Sequence, residues 1–343
     1  MTRTIRHSFL IAVVAFFVAP FLFAQEEFVI EPRFYKAGNF SEGLAAVSEF
    51  SGDMGYIDIS GNWVIEPKFG EARGFSEGLA AVQDSETYKW GYIDNTGKYA
   101  IKPIYESAAD FSEGLAFVES YDYSGPPTYT YIDKTGKTVL SFLKNGKSTI
   151  SWGGSFKNGY APINAGGKPS MYGGTSGGVY YFINKKGLVP FKLTKPYSKV
   201  GEFSEGLAIV QDGELLGAMD VNGKEVIKPK YAVFYPFSEG VAVVMYEYEK
   251  DTFSLRVIDK KDKTLLEMPD VYSTGYEFSE GLLAVTLDNE QWGFMNLKRE
   301  LVIEPRFKGV SDFSGGYAAV LVEVDEGYRM IEKWGYIKNP LRK

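Results

Sequence analysis

The sequence has no cysteine and only one histidine, His7, and each absence removes a class of chemistry. Without cysteine there can be no disulfide, no thiol redox couple and no thiolate ligand, and no lipid anchor on a terminal cysteine is expected. His7 lies in an N-terminal stretch that is expected to be removed, which leaves no imidazole in the remainder. Ser-His-Asp and Cys-His arrangements then lack their base, and a zinc site lacks its usual ligands. Carboxylate, lysine or tyrosine chemistry and oxygen-ligated metals stay open. Positive charge is also in deficit, with 37 Lys+Arg against 44 Asp+Glu. Nucleic acid is therefore not an expected partner, because binding it rests on a concentrated positive surface.

Long apolar runs are scarce as well. The one that exists, Phe9 to Phe23, follows Arg3 and Arg6 and ends at Ala24, ahead of the polar Gln25-Glu26-Glu27. That is the pattern of a secretory signal peptide over residues 1–24. The run is shorter than the ~20 residues of a membrane-spanning helix. Its removal takes two basic residues from the 37, leaving 35 against 44 acidic and a net charge of −9. The expected product is an exported bacterial monomer, periplasmic or extracellular, not a lipoprotein and without a membrane span. With no disulfide, its stability must come from an apolar core, which 25 Phe and 24 Tyr can help to fill.

What is abundant is repetition. The octapeptide Phe40-Ser-Glu-Gly-Leu-Ala-Ala-Val47 returns from Phe75, Phe111, Phe203, Phe237, Phe278 and Phe313, with a degenerate copy, FKNGYAPI, from Phe156. Successive copies start 35, 36, 45, 47, 34, 41 and 35 residues apart, a period at which each copy is one supersecondary unit of a repeat architecture. After each octapeptide comes a Trp-Gly-Tyr-Ile-Asp-like pentad, as WGYID from Trp90, and then a Val-Ile-x-Pro-x-Phe hexad, as VIEPKF from Val64. Weaker hexads lie near Val139, Val189 and Leu266. These segments alternate with period 2, as half-buried strands do. Between pentad and hexad, runs such as Asp94-Asn-Thr-Gly97 suit a turn closed by a left-handed glycine, so the strands are antiparallel neighbours. The hexad proline lacks an amide hydrogen and places its strand at a sheet edge or out of the ladder.

The order of these modules resembles the WG-repeat, or KWG-repeat, family, whose Trp-Gly pair stands here as Trp90-Gly91, Trp292-Gly293 and Trp334-Gly335. The resemblance spans essentially the whole chain after the leader. It implies a bacterial repeat protein that mediates binding. Several units depart from the pattern, lacking the Trp at Met54 and Leu216 and the turn glycine at Asp262 and Arg299, so an identical ligand site in every unit is not expected.

The fold expected is all-β, a tandem array of about eight three-stranded antiparallel units over residues 25–343. An irregular Gly/Tyr-rich insert occupies about 121–181. The chain opens on a complete hexad, Val29 to Phe34, and closes on a pentad, Trp334 to Lys338, that has no hexad after it. Complementary ends favour a closed β-propeller-like ring over an open solenoid, whose terminal repeats are usually degraded into polar caps.

Two sets of residues are candidate sites. Glu42, Glu77, Glu113, Glu205, Glu239 and Glu280 recur at one place in each unit, either as an acidic rim or as turn chemistry bonded to a neighbouring amide, the second being favoured. Trp90, Trp292 and Trp334 read as packing wedges between units in preference to stacking platforms. In the insert, Tyr123, Tyr129, Trp152 and Tyr172 stand beside Gly or Pro, outside strand alternation. They read as exposed binding residues or as part of a decayed repeat. No catalytic residue, metal site or cofactor is indicated. The function expected is a non-catalytic scaffold for a protein, peptidoglycan or glycan of the cell envelope. The rival readings are a carboxylate-based glycoside hydrolase, which needs two carboxyl groups at a set separation, and a structural envelope component.

Overall fold

The computed structural model describes residues 28–50, 52–121, 127–144, 147–169, 175–249 and 252–342. The leader over 1–24, Tyr123 and Tyr172 lie outside these. Among the described residues every regular element is a β-strand, and no helix is long and apolar enough to cross a membrane.

Among the described residues the strands form eight antiparallel blades and two small hairpins, Leu143–Lys144 with Lys147–Ser148 and Lys168–Pro169 with Thr175–Ser176. Blade one is Lys36–Ala37, Ala45–Ser48, Met54–Ile57 and the first half of the long strand Trp63–Ser76, whose second half opens blade two. Blade two continues through Leu79–Asp84, Trp90–Ile93 and Tyr99–Tyr105, and blade three is Ser107–Ala108, Ala116–Ser120, Thr128–Ile132 and Thr138–Ser141. Blade four has three strands, Trp152–Gly153, Tyr160–Ala165 and Val179–Asn184; blade five runs from Lys199–Ser204 to Glu225–Tyr231. Blade six extends from Val233–Phe234 to Thr264–Met268, and blade seven from Ser273–Thr274 to Leu301–Phe307. Blade eight takes Gly309–Val310, Tyr317–Asp325 and Met330–Lys338 from the C-terminal end and its outer strand, Phe28–Phe34, from the N-terminal end. Most blades thus hold one strand more than the three expected. The extra strand precedes the octapeptide phenylalanine and often has only two residues, too few to show alternation.

Each motif has a local physical reason. In the octapeptide, Ser41 and Leu44 exchange both backbone hydrogen bonds, which closes a two-residue hairpin loop. The six recurrent Glu residues sit at φ 49–56°, and the glycine that follows each lies at φ 82–87°. Two successive left-handed residues make a type I′ turn, whose twist matches that of the flanking strands.

In the hexad, Met54 pairs with Phe69 but Tyr56 with Ile65, so three residues of the outer strand, Glu66 to Lys68, face the single Gly55. The proline sits in this bulge, where its missing amide hydrogen costs nothing. The bulge presses on the pentad glycine. A Cβ on Gly91 would lie 2.6 Å from the Ile101 carbonyl oxygen and 2.7 Å from the Pro103 nitrogen. Gly55, Gly217, Gly293 and Gly335 meet their own hexads in the same way. Where no proline hexad follows, the glycine is gone too, and Thr130, Tyr181 and Arg256 take its place.

Blades are joined by the same motifs. The pentad aromatic of one blade packs on the octapeptide phenylalanine of the next: Tyr56 on Phe75 at 5.0 Å, Tyr92 on Phe111 at 4.7 Å and Phe294 on Phe313 at 4.7 Å between ring centroids. The Tyr56, Tyr92 and Tyr131 hydroxyls donate to the carbonyls of Arg73, Ala109 and Gly154 in the following blade, each at 2.7 Å. Burial raises these phenols far above their ordinary pKa, so they stay protonated donors. Trp90, Trp292 and Trp334 are half-buried beside these clusters, while the tyrosine–phenylalanine pair forms the wedge itself.

The ring closes by the same contacts. Ile30 pairs with Tyr336 and Phe34 with Trp334. From blade eight, the Tyr336 hydroxyl donates to Gly38 O at 2.8 Å and Ser314 Oγ to Phe40 O at 2.6 Å, repeating what Tyr56 and Ser41 do between blades one and two. No sheet closes on itself as in a barrel; a circle of separate sheets does.

Candidate functional site

Antiparallel connectivity gives the ring two unlike edges. One carries the Ser-Glu-Gly turns and the Asp-x-x-Gly turns. The other carries the turns between second and third strands and the links from one blade to the next.

On the first edge the glutamates are occupied. Glu77 accepts from the Gly114 amide of the next blade at 3.0 Å, and Lys134 of that blade lies 3.1 Å from it. Glu113 does the same with Gly159 and Lys185, and Glu205 with Gly240 and Lys260. Glu42 and Glu239 accept from Gly78 and Gly281, and Glu280 from Gly316 with Arg342 beside it. These carboxylates are therefore not a free acidic rim. They couple blades, and their bonds offset the ~1–2 kcal/mol that a side chain pays in the left-handed region. Asn158, in the degenerate octapeptide, holds the same conformation and bonds Gly206 at 3.2 Å. Replacing Glu77 by Ala is expected to cost about 1 kcal/mol in denaturant unfolding, while Glu77→Asn stays within about 0.5 kcal/mol of the parent.

The second edge has a different finish. Phe50 at 77% exposure, Tyr88 at 69% and Tyr328 at 77% stand on its turns, and Tyr35 and Tyr272 are exposed on its links. Among the described residues, the turns of the first edge carry exposed aliphatics such as Leu188 and Leu297, and the exposed aromatics closest to them are Tyr276 at 70%, ahead of the Ser279 turn, and Tyr99 at 39%, which opens the strand after Gly97.

This second edge also holds a cleft of about 360 Å³ between blades three and four, lined by Arg73, Ser107, Phe117, Glu119, Tyr129 and Trp152 among others. Tyr129 and Trp152 were expected to be exposed. The structure corrects that: Tyr129 is only 8% exposed and Trp152 is half-buried. Tyr129 sits on the third strand of blade three, where its ring stacks on Phe117 at 5.7 Å and 5°. Trp152 opens blade four and pairs with Asn164. The two do converge, on the walls of one cleft. Tyr123 and Tyr172 are outside the described residues.

Phe117 creates the cleft by breaking the repeat, since it stands where Ala46, Ala81, Ala284 and Ala319 stand in other octapeptides. Gly153 makes room for it. A Cβ there would lie 2.7 Å from the Phe117 ring and 2.8 Å from the Tyr131 hydroxyl. Glu119 faces Tyr129 across the strands, and burial, then the nearby Glu106 charge, pushes its carboxyl above the usual range. Glu106 itself is paired with Lys89. Arg73 reaches in from blade two with its guanidinium over the Trp90 ring at 5.2 Å. Asp110 and Asp312, which follow the first strands of blades three and eight, are both raised by burial.

The profile of the WG containing repeat matches residues 24–49, 54–88, 90–122, 196–215, 217–248 and 292–323. The chain belongs to the WG-repeat family. Much of the cleft's surroundings, residues 123–195, falls outside those matches, so the WG-repeat pattern is weakest where the cleft is built. No curated protein matches the chain in sequence. Its fold is similar to that of the Saccharomyces cerevisiae protein Sqt1, at 11% identity and a TM-score of 0.50 over 92% of this chain and 98% of that one. It is also similar to a eukaryotic initiation factor, at 11% identity and 0.53 over 91% and 87%. A third similar structure is the C-terminal WD40 domain of Sif2, at 12% identity and 0.52 over 92% and 98%. At these identities the likeness is one of fold, and the WG-repeat units are blades of a β-propeller.

Proposed function

We propose that the protein is an exported, non-catalytic scaffold that binds a protein or glycan partner of the cell envelope through its aromatic edge. The supporting observation is the unequal finish of the two edges. On one, charged and glycine turns are engaged in bonds between blades; on the other, Phe50, Tyr88 and Tyr328 hold large rings in water. Exposed aromatic side chains grouped on one face are costly in a free monomer and are enriched in binding surfaces. The chemistry left by the composition agrees, because the chain after the leader offers neither thiol nor imidazole.

The test is capture from envelope extract by three immobilised proteins: the parent, a Phe50→Ser/Tyr88→Ser/Tyr328→Ser triple variant, and a Leu188→Ser/Leu297→Ser control on the other edge. The triple variant is expected to retain about tenfold less of the bound species than parent and control, a loss of ~1.4 kcal/mol. Its fold should be unchanged, since surface substitutions cost within about 0.5 kcal/mol each. Equal retention by all three would overturn the proposal.

A further inference from the structure

The cleft between blades three and four holds two opposite charges that, among the described residues, form no ion pair. The Arg73 guanidinium lies over the Trp90 ring and its charge partly offsets the rise that burial gives the Asp110 carboxyl, but it makes no hydrogen bond or ion pair among those residues. The Glu119 carboxylate has neither, and the two are not paired with each other, although both line the same cleft. Glu106, whose charge acts on Glu119, is by contrast paired with Lys89. A half-buried carboxylate without a partner is costly, so Glu119 marks a place for a cation, while the exposed Arg73 that lines the same cleft is free to meet an anion. Between them lie the stacked Phe117 and Tyr129 rings and the edge of Trp152, an apolar seat whose faces also favour a cation. Among the described residues the Tyr129 hydroxyl makes no hydrogen bond, and burial together with the Glu119 charge keeps it protonated. At about 360 Å³ the cleft is near the lower end for small-molecule sites.

We propose that this cleft binds a small zwitterion, an amino acid or very short peptide with an aromatic side chain, its carboxylate against Arg73 and its ammonium against Glu119. Arginine's planar fork suits a carboxylate. The ammonium lies between the Glu119 carboxylate and the ring faces, and the ligand's aromatic side chain covers Phe117 and Tyr129. A neutral sugar would satisfy hydroxyls but leave the half-buried Glu119 carboxylate uncompensated, which argues against that occupant. The inference goes beyond the aromatic-edge reading and does not depend on it, because capture of a large partner and uptake of a small zwitterion are measured separately.

The test is titration calorimetry of the purified protein with phenylalanine and with glycyl-phenylalanine, each also as its C-terminal amide and as its N-acetyl derivative, and with N-acetylglucosamine. At least one free zwitterion is expected to bind, and either cap should weaken it about tenfold or more, as loss of a charged hydrogen-bonded contact does. In Glu119→Gln the free and N-acetylated forms should bind alike; in Arg73→Gln the acid and the amide should. Both variants should melt with the parent, which separates a lost contact from a lost fold. Absence of binding by both free probes at about 10 mM, where a ligand worth even ~3 kcal/mol would register, would overturn the proposal. So would insensitivity to both caps, or binding of N-acetylglucosamine in place of the zwitterions.

Discussion

Deleting residues 25–37 is expected to abolish the cooperative melt of the protein, although the deletion lies at one end of the chain. Those residues supply the outer strand of blade eight. Phe34 is fully buried and Ile30 nearly so, in a cluster with Phe40, Val47, Ile57 and Tyr336 that joins the last blade to the first. Removing the strand takes away this seam and leaves the Met330–Lys338 edge unpaired, open to association with another chain. The point substitution Phe34→Ala isolates the packing part and should cost about 3–5 kcal/mol. Calorimetric melts of the two variants check this. A single sharp transition for the deletion, within a degree or two of the parent, would mean that the ring does not depend on its closing strand.

Gly91→Ala should be nearly as damaging, for a backbone reason. The added methyl would meet the Ile101 carbonyl, the Lys102 carbonyl carbon and the Pro103 nitrogen, all at 2.6–2.9 Å and none able to rotate away. The outer strand would have to lift from the pentad strand, at a cost of about 3 kcal/mol, the upper part of the range for overpacking. Thr130 occupies the same place in blade three, where no proline bulge presses on it. Thr130→Gly should therefore cost only about 1 kcal/mol, through lost strand propensity. Equal effects at the two positions in chemical denaturation would break the proposed link between pentad glycine and hexad proline.

Much of this architecture could be read along the chain because each blade is built from local, recurring signals. Hexad alternation marked buried Ile65 and Phe69, and the incomplete units at the two ends gave the ring closure. The limits of that reading have physical causes. Strands as short as Lys36–Ala37 are too brief to alternate. Strict period-2 alternation would put Pro67 on one face with the buried Ile65 and Phe69, but the bulge opposite Gly55 leaves it exposed. The recurrent glutamates look like a rim in one dimension, yet their partners lie about one repeat away, on the next blade.

The cleft was half visible. Tyr129 and Trp152 stand out against the repeat, but departure from alternation does not bring exposure here, because both rings pack along a wall of the cleft. Arg73, Phe117 and Glu119 were missed because they lie within well-formed repeats, Arg73 on blade two and the other two on blade three. The signal for one of them was present in the sequence: Phe117 is the one aromatic at its place in the octapeptide, where the other units carry Ala, Ile, Val or Pro. Comparing the repeats position by position for such departures would have pointed to it.

On the proposed reading the partner meets the edge bearing the turns between second and third strands. Site-specific photo-cross-linking tests it most directly, with a photoreactive phenylalanine analogue placed singly at Tyr88, Tyr328, Leu188 and Leu297 and irradiated in envelope extract. Covalent adducts of one common mass at Tyr88 and Tyr328, with none at Leu188 or Leu297, are the result the account predicts. Adducts at Leu188 and Leu297 alone, or equally at all four positions, would contradict it.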